Sequence, residues 1–484
     1  TAGVGVPIGS RVGARLFEVR AGDADMDAIS FGTDGWRARL GTFTDERVRI
    51  VGRAVAAHLA AEGERGEVVV GYDARETSEG FAESLAEELS SAGFDAVLPE
   101  RDRPTPVAAW SVVDRGARGA LMLTASHNPA DYNGVKFIPD DGAPALPEVT
   151  DDVVARLGED PPAPDEPGAG KRIDLFTPYL DYAASVVDAD LSGLNVAYDA
   201  IHGSGRGSTD TFLKLLGADV ERIRCERDST FGDTHPEPSA NNLRELVDRV
   251  GSGAADLGIA NDGDADRIAL VAPDSGYLDG NRVLALLYDH LLTDRGESGP
   301  VVRTVSTTFL LDRIAEAHGE KAVETPVGFK WVARAMADHD ALAGGEESGG
   351  HTLRGHIREK DGVLLAGVLA AAAAEASLDD RLDRITDEFG AIAADRVSVE
   401  GPDDAKQTVL DSLGDAIPET VAGKSVADVV TVDGFKLLMQ DGSWLLLRPS
   451  GTEPKMRVYA EGTDVDAVSD LLDEGRALVE RFTP

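Results

Sequence analysis

The chain has 484 residues, with 47 Lys or Arg against 87 Asp or Glu, a formal net charge of −40. At roughly 100–200 residues per domain this length points to three or four domains, and the charge excludes general binding to phosphate backbones or anionic lipid surfaces. A single cysteine, Cys225, excludes an intrachain disulfide and any cysteine-based zinc site.

Residues 1–27 carry no clear periodicity and are expected to be a loose arm. They hold no apolar core of a secretory signal, and no apolar run approaches the roughly 20 residues of a membrane span, so a cytoplasmic location is expected. The first regular unit, over residues 28–170, reads as strand, helix, strand. Glu67-Val-Val-Val-Gly-Tyr72 is a short apolar run. Phe81, Leu85 and Leu89 then form the stripe of a core-facing helix, and Asp95-Ala-Val-Leu98 starts another strand. Gly119-Ala-Leu-Met-Leu-Thr124 is a further buried strand. A Pro/Gly-rich stretch at 160–170 marks a boundary.

The pattern recurs over 171–277, with a strand at Leu194-Asn-Val-Ala-Tyr198 and a helix through Phe212, Leu215 and Leu216. It recurs again over 278–390, with strands at Val301-Val-Arg-Thr-Val305 and Ala322-Val-Glu324 and a helix from about Lys330. Residues 391–484 differ: strands at Trp444 to Arg448 and Met456 to Tyr459 flank a polar loop, and an amphipathic helix begins at Val465. Three α/β units and a smaller α+β domain follow from this order.

Four loops could carry chemistry. Thr124-Ala-Ser-His-Asn-Pro129 ends a buried strand, where open α/β sheets bind ligands, and Ser126 beside His127 could be a nucleophile or phosphoryl carrier. Lys136 follows within ten residues and places an ammonium near the same mouth. Asp262-Gly-Asp-Ala-Asp-Arg267 offers three carboxylates that can converge on a hard cation; Mg²⁺ favours such a set. With 54 Asp in the chain the pattern can arise by chance, and Asp23, Asp25 and Asp27 make a second copy. Only the Asp262 copy lies between two strand-like runs. It is not an EF-hand, whose sixth and twelfth positions here are Arg267 and Pro273. Gly344-Gly-Glu-Glu-Ser-Gly-Gly350 could turn Glu346 and Ser348 to one side to read hydroxyls. Arg448-Pro-Ser-Gly-Thr-Glu453 joins a planar phosphate fork to the Ser450 and Thr452 hydroxyls and the backbone around Gly451.

These loops, in this order and preceded by Phe31-Gly-Thr-Asp-Gly-Trp-Arg37, resemble the α-D-phosphohexomutase family of phosphoglucomutases and phosphomannomutases from about residue 28 to the end. The resemblance implies a four-domain architecture around a central cleft, three related α/β domains and a smaller C-terminal α+β domain. By position, Ser126 is similar to the serine that carries the phosphoryl group. Asp262, Asp264 and Asp266 would hold Mg²⁺ together with a Ser126 phosphate oxygen. Arg37, His127, Lys136 and Arg267 would surround the transferring group, with Lys136 similar to the proposed general base. Lys330, Glu346 and Ser348 would bind the sugar, and Arg448, Ser450, Gly451 and Thr452 the phosphate that is not reacting.

The implied activity interconverts glucose 1-phosphate and glucose 6-phosphate through a hexose 1,6-bisphosphate, with mannose phosphates as a second substrate. The partners are small sugar phosphates, not nucleic acid or membrane. Glu347 and the run Pro326-Val-Gly-Phe-Lys-Trp331 lean toward glucose, while Thr124 and Tyr132 argue against phosphoglucosamine mutase. Asp34 stands where many members carry Ser. Main activity as a phosphomannomutase or phosphoglucosamine mutase, a phosphoserine-dependent sugar phosphatase and a non-catalytic sugar-phosphate binder stay open as alternatives. The abundance of carboxylate, with 10 Lys among the cations, reads as a surface adapted to concentrated salt.

Overall fold

Two compact units make up the chain in the computed structural model, Thr1–Val283 with Ser348–Ser377 and Leu284–Glu347 with Leu378–Pro484. The structure describes residues 6–7, 26–32, 34–63, 65–400, 405–415, 417–450 and 455–482. Of the arm over 1–27, Val6–Pro7 pairs antiparallel with Lys171 and Arg172, and Met26–Ala28 is a 3-10 turn. Asp23 and Asp25 of the second Asp-x-Asp-x-Asp copy lie outside the described residues.

In the first unit, Glu67–Tyr72 lies parallel to Asp95–Pro99 on one side and Gly119–Leu123 on the other. Each is a nearly continuous apolar run, as expected of strands covered on both faces. Gly119–Leu123 then pairs antiparallel with Tyr132–Pro139, which pairs with Trp36–Arg39. At the other edge Gly170–Ile173 runs parallel to Asp95–Pro99. The covering helices carry ordinary stop and start signals. Thr44 caps Asp45–Glu62 through the Arg47 N–H, and Asp45 and Glu46 sit in its first turn. Thr105–Arg115 has proline in its first turn and ends at Gly116, which has φ 61°.

A second sheet in this unit repeats the arrangement. Asn195–Asp199 lies parallel to Asp219–Ile223 and to Leu257–Asn261, and Leu257–Asn261 pairs antiparallel with Ile268–Ala272. The helix Gly362–Glu375 is apolar on every face, and its burial against Thr209–Leu215 and Phe176–Val187 explains that composition. Among the described residues no single helix is long and apolar enough to cross a membrane.

The second unit holds a third such set, with Val301–Thr304 parallel to both Ala322–Thr325 and Ala343–Gly345. In all three sets the first strand in sequence is central and flanked by the second and third. The serine, aspartate and Glu346 loops each leave the third strand of their set. The six-stranded C-terminal sheet is antiparallel, with Trp444–Pro449 between Phe435–Met439 and Lys455–Gly462. One face is covered by Val465–Phe482, while Trp444, Leu446 and Tyr459 on the other pack with Val305, Phe309 and Val327.

Candidate active site

The serine loop is held from beneath by a buried arginine. Arg75 is fixed by Asp73 at 3.0 Å and donates to the carbonyls of Ser126, Asn128, Pro129 and Tyr132 at 2.6–3.1 Å. Gathering four carbonyls on one guanidinium gives the loop a single shape without a ladder of its own. Ser126 itself has φ 49°, a left-handed conformation that a non-glycine residue adopts only when its surroundings impose it. The Thr124 hydroxyl accepts the Ser126 N–H at 2.8 Å and helps to impose it. The Ser126 Oγ donates to Asp262 Oδ2 at 2.7 Å and lies 3.3 Å from His127 Nδ1.

The aspartate loop comes within contact of that serine through Gly263, where a Cβ would stand 2.7 Å from the Ser126 carbonyl oxygen. Asn261 closes the loop by donating to the Arg267 carbonyl at 2.8 Å, while Tyr198 and Thr209 hold its side-chain oxygen. Thr105, at the start of its helix, donates to Asp264 Oδ2 at 2.6 Å. One carboxylate oxygen from each of Asp262, Asp264 and Asp266 lies within 4.8 Å of the others. All three side chains are buried, and Asp264 Oδ1 and Asp266 Oδ1 have no hydrogen-bond partner.

Buried carboxylate oxygens without donors are costly unless a cation meets them. The donor set, oxygen only and threefold anionic, fits a hard divalent ion such as Mg²⁺. Burial, reinforced by Asp264 and Asp266, pushes Asp262 well above the usual carboxylate range. For Asp266 burial acts in the same sense, but Lys136 and Lys360 outweigh it and hold the group at about 2.

Lys136, on the strand Tyr132–Pro139, reaches Asp34 and Asp266 at 2.9 Å and Asp264 at 3.4 Å. Its burial disfavours the charge, yet Asp266, Asp34 and Asp264 overcome this and raise its pKa. Arg37 meets Asp34 at 3.0 Å and Asn128 at 3.4 Å, so the first motif enters the same cage. Against a burial cost, Lys136, Lys360 and Arg37 hold Asp34 well below its ordinary value. The Arg267 N–H donates to Asp262 Oδ1 at 3.2 Å, and its charge favours the ionised forms of Asp262 and Asp266. The structure therefore brings Ser126, His127, Arg37, Lys136, Arg267 and the three aspartates into one neighbourhood inside the first unit.

The loop carrying Ser348 pairs with the end of the aspartate loop, where the Ile268 N–H donates to the Gly349 carbonyl at 2.9 Å. Ser348 is half-buried in the first unit. In the second unit Lys330 lies in the first turn of Phe329–His339, and Glu346 accepts the Gly328 N–H at 3.0 Å. Arg448 pairs with Asp433 at 3.0 Å, and the Ser450 carbonyl accepts from Lys406 at 2.7 Å. Gly451 and Thr452 lie outside the described residues.

Four family models of phosphoglucomutase/phosphomannomutase match in succession. The alpha/beta/alpha domains I, II and III match residues 28–162, 177–276 and 279–389, and the C-terminal domain matches 396–478. The chain belongs to the α-D-phosphohexomutase family. It is thus an enzyme of the mutase type, an isomerase acting by intramolecular phosphotransfer, with four domains.

Among its relatives in this family, a phosphoglucomutase/phosphomannomutase of Thermococcus kodakarensis is 31% identical over 93% of this chain and 98% of its own. A probable phosphoglucosamine mutase of Methanopyrus kandleri is likewise 31% identical over 93% and 98%. A solved structure described as a putative phosphomannomutase from Thermus thermophilus is 33% identical and superposes with a TM-score of 0.82, covering 94% of this chain and 99% of that one. An Aspergillus fumigatus N-acetylphosphoglucosamine mutase in complex with GlcNAc-6P and magnesium is similar in fold alone, at 15% identity and a TM-score of 0.59 over 96% of this chain and 99% of that one.

Sequence reasoning missed Lys360. Its ammonium lies 3.0 Å from Glu359, 3.2 Å from Asp266 and 3.6 Å from Asp34, so this phosphohexomutase carries a second lysine in the cage. The run Arg358-Glu-Lys-Asp361 directly before an apolar helix was the available signal, because four charged residues there must find partners or water. The anchoring role of Arg75 was also missed, although Asp73-Ala-Arg75 directly follows a buried strand.

Proposed function

We propose that this phosphohexomutase interconverts glucose 1-phosphate and glucose 6-phosphate through a phosphoserine at Ser126 and a hexose 1,6-bisphosphate, with mannose phosphates as a second substrate. The observation that carries the reading is the Ser126 hydroxyl 2.7 Å from Asp262, beside the unpartnered oxygens of Asp264 and Asp266. Asp262, Asp264 and Asp266 would hold Mg²⁺ with an oxygen of the serine-borne phosphate. When bound, the ion would neutralise charge on the transferring group.

In the forward half-reaction the bond from Ser126 Oγ to phosphorus breaks as the 6-hydroxyl of glucose 1-phosphate forms its own bond to phosphorus. The proton lost by the 6-hydroxyl ends on the departing Ser126 oxygen, so the serine hydroxyl is restored. The intermediate then returns its 1-phosphate to Ser126, which regenerates the phosphoenzyme and leaves glucose 6-phosphate. Arg37, His127 and Arg267 would hold the phosphoryl oxygens in line. Lys136 would manage the proton. Its contacts with Asp34, Asp264 and Asp266 favour the ammonium, the form that returns a proton to a departing oxygen. Lys330, Glu346 and Ser348 would read the sugar, while Arg448, Ser450, Gly451 and Thr452 would grip the other phosphate.

Phosphoglucosamine mutase is the second reading, supported by relatives of that name that match at 31% and 32% identity, level with the phosphoglucomutase/phosphomannomutase at 31%. Steady-state rates on glucose, mannose and glucosamine 1-phosphates decide between them. A kcat/KM highest on glucosamine 1-phosphate would overturn the glucose assignment. Free phosphate released in step with substrate loss would replace the mutase by a phosphatase.

A further inference from the structure

In the second unit, the strand Ala322–Thr325 leads through residues 326–328 into the helix that carries Lys330. The turn between strands Lys424–Val430 and Phe435–Met439 and the start of the second strand each hold this stretch at one point. Asp433 Oδ2 accepts the Val327 N–H at 3.1 Å, and Lys436 Nζ lies 3.1 Å from Glu324. The Lys436 ammonium sits between the rings of Phe309 and Trp444, 4.0 and 4.3 Å from their centres. Glu461 ties the same two residues together by accepting from the Phe309 N–H and the Trp444 indole. The joint is therefore packed and cross-bonded.

The Asp433 oxygen that holds Val327 also receives Arg448, from Nε at 3.1 Å and Nη2 at 3.0 Å. The next N–H along the segment, that of Gly328, donates to Glu346 at 3.0 Å. An unbroken chain of contacts thus runs from Arg448 through Asp433 and residues 327–328 to Glu346. Gly434 keeps it tight. At φ +87° a Cβ there would lie 2.3 Å from the Leu447 carbonyl oxygen and 2.8 Å from the Arg448 Cβ.

We propose that Asp433 is a positioning residue that fixes the plane of the Arg448 guanidinium and couples it to the Glu346 loop. Phosphate grip and sugar reading are then set by one carboxylate. This rests on the reading above, in which Arg448 holds the non-reacting phosphate and Glu346 the sugar. A long arginine side chain that must be ordered on binding costs affinity, and an arginine already held in place avoids that cost.

Steady-state kinetics on the preferred hexose 1-phosphate test the idea. Asp433→Ala is expected to raise KM about tenfold while changing kcat much less. Asp433→Asn, which keeps an acceptor oxygen, should restore most of the loss. Arg448→Lys and Glu346→Gln should be non-additive in the native background and additive in Asp433→Ala. If Arg448→Lys leaves KM unchanged, the phosphate assignment itself fails. If Arg448→Lys raises KM but Asp433→Ala does not, or the coupling survives Asp433→Ala, only the positioning role is overturned. A lower melting temperature with native KM and coupling would mark Asp433 as merely structural, and that too overturns the proposal.

Discussion

The serine loop and the aspartate loop occupy the same place in two sheets of like topology, each leaving the third parallel strand, yet they are built by opposite means. The serine loop is drawn around a buried cation, Arg75, which collects its carbonyls and presents one hydroxyl. The aspartate loop is a tight hairpin connection closed by Asn261, and it presents three buried carboxylates of which two oxygens have no donor. Sheet topology chooses where a loop projects; the residues beneath it choose whether it presents a hydroxyl or a set of buried carboxylates.

The sharpest way to break this comparison is Ser126→Ala. Mutase activity should fall by about 10⁴ or more, as expected when a covalent carrier is lost. The melting temperature should stay close to native, and substantial retained turnover would sink the division of labour. Next, Asp264→Asn should lower kcat by about 10²–10³, the scale of losing one charge-stabilising group. Mg²⁺ should raise the melting temperature of the native enzyme, and Asp264→Asn should abolish that rise. An unchanged metal response would show that the aspartate loop is not the cation site.

Arg75→Met removes the support on the serine side. It should cost about 3–5 kcal/mol in urea unfolding, because Asp73 is left buried without its partner. It should also reduce kcat more than it raises KM, and a purely additive loss of stability with native kcat would argue against loop support.

The third loop, after Ala343–Gly345, leads into the strand His351–Leu353, and His351 gives a pH test. Burial pushes its imidazole down to about 3. Between pH 3 and about 6.5 the unfolded chain binds a proton that the native chain refuses. This contribution to stability is therefore whole above about 6.5 and falls by up to about 1.4 kcal/mol per unit as pH drops. The stability difference between native protein and His351→Gln should slope in that window and be constant above about 6.5, and parallel curves throughout would refute the assignment. The smallest expected effect is global: raising KCl from dilute buffer toward molar concentration should increase melting temperature and activity, because screening relieves the repulsion of a −40 chain. Highest stability in dilute buffer would contradict the salt-adapted surface.

Much of the site was legible because each loop sits beside a strong local signal. Thr124-Ala-Ser-His-Asn-Pro129 follows a wholly buried strand, and Asp262 to Arg267 separates two apolar runs that pair as a hairpin. Asp34 was visible as an unusual residue in its motif but not as the group that joins Lys136, Lys360 and Arg37. Asp433 was not singled out at all, since an Asp-Gly pair before a strand is an ordinary turn until its partners are known.

The amino-acid sequence by itself determined the three α/β repeats, the distinct C-terminal α+β part and the residue types that can carry a phosphoryl group and a hard cation. Those properties depend on periodicity and on neighbours a few positions away. Only the tertiary structure decided that Lys360 faces Asp266 from far along the chain, that Arg75 lies under Ser126, and that one oxygen of Asp433 serves both Arg448 and Val327. Burial makes such pairings matter, because a charge removed from water must find its partner wherever the fold brings one, whatever their separation in the chain.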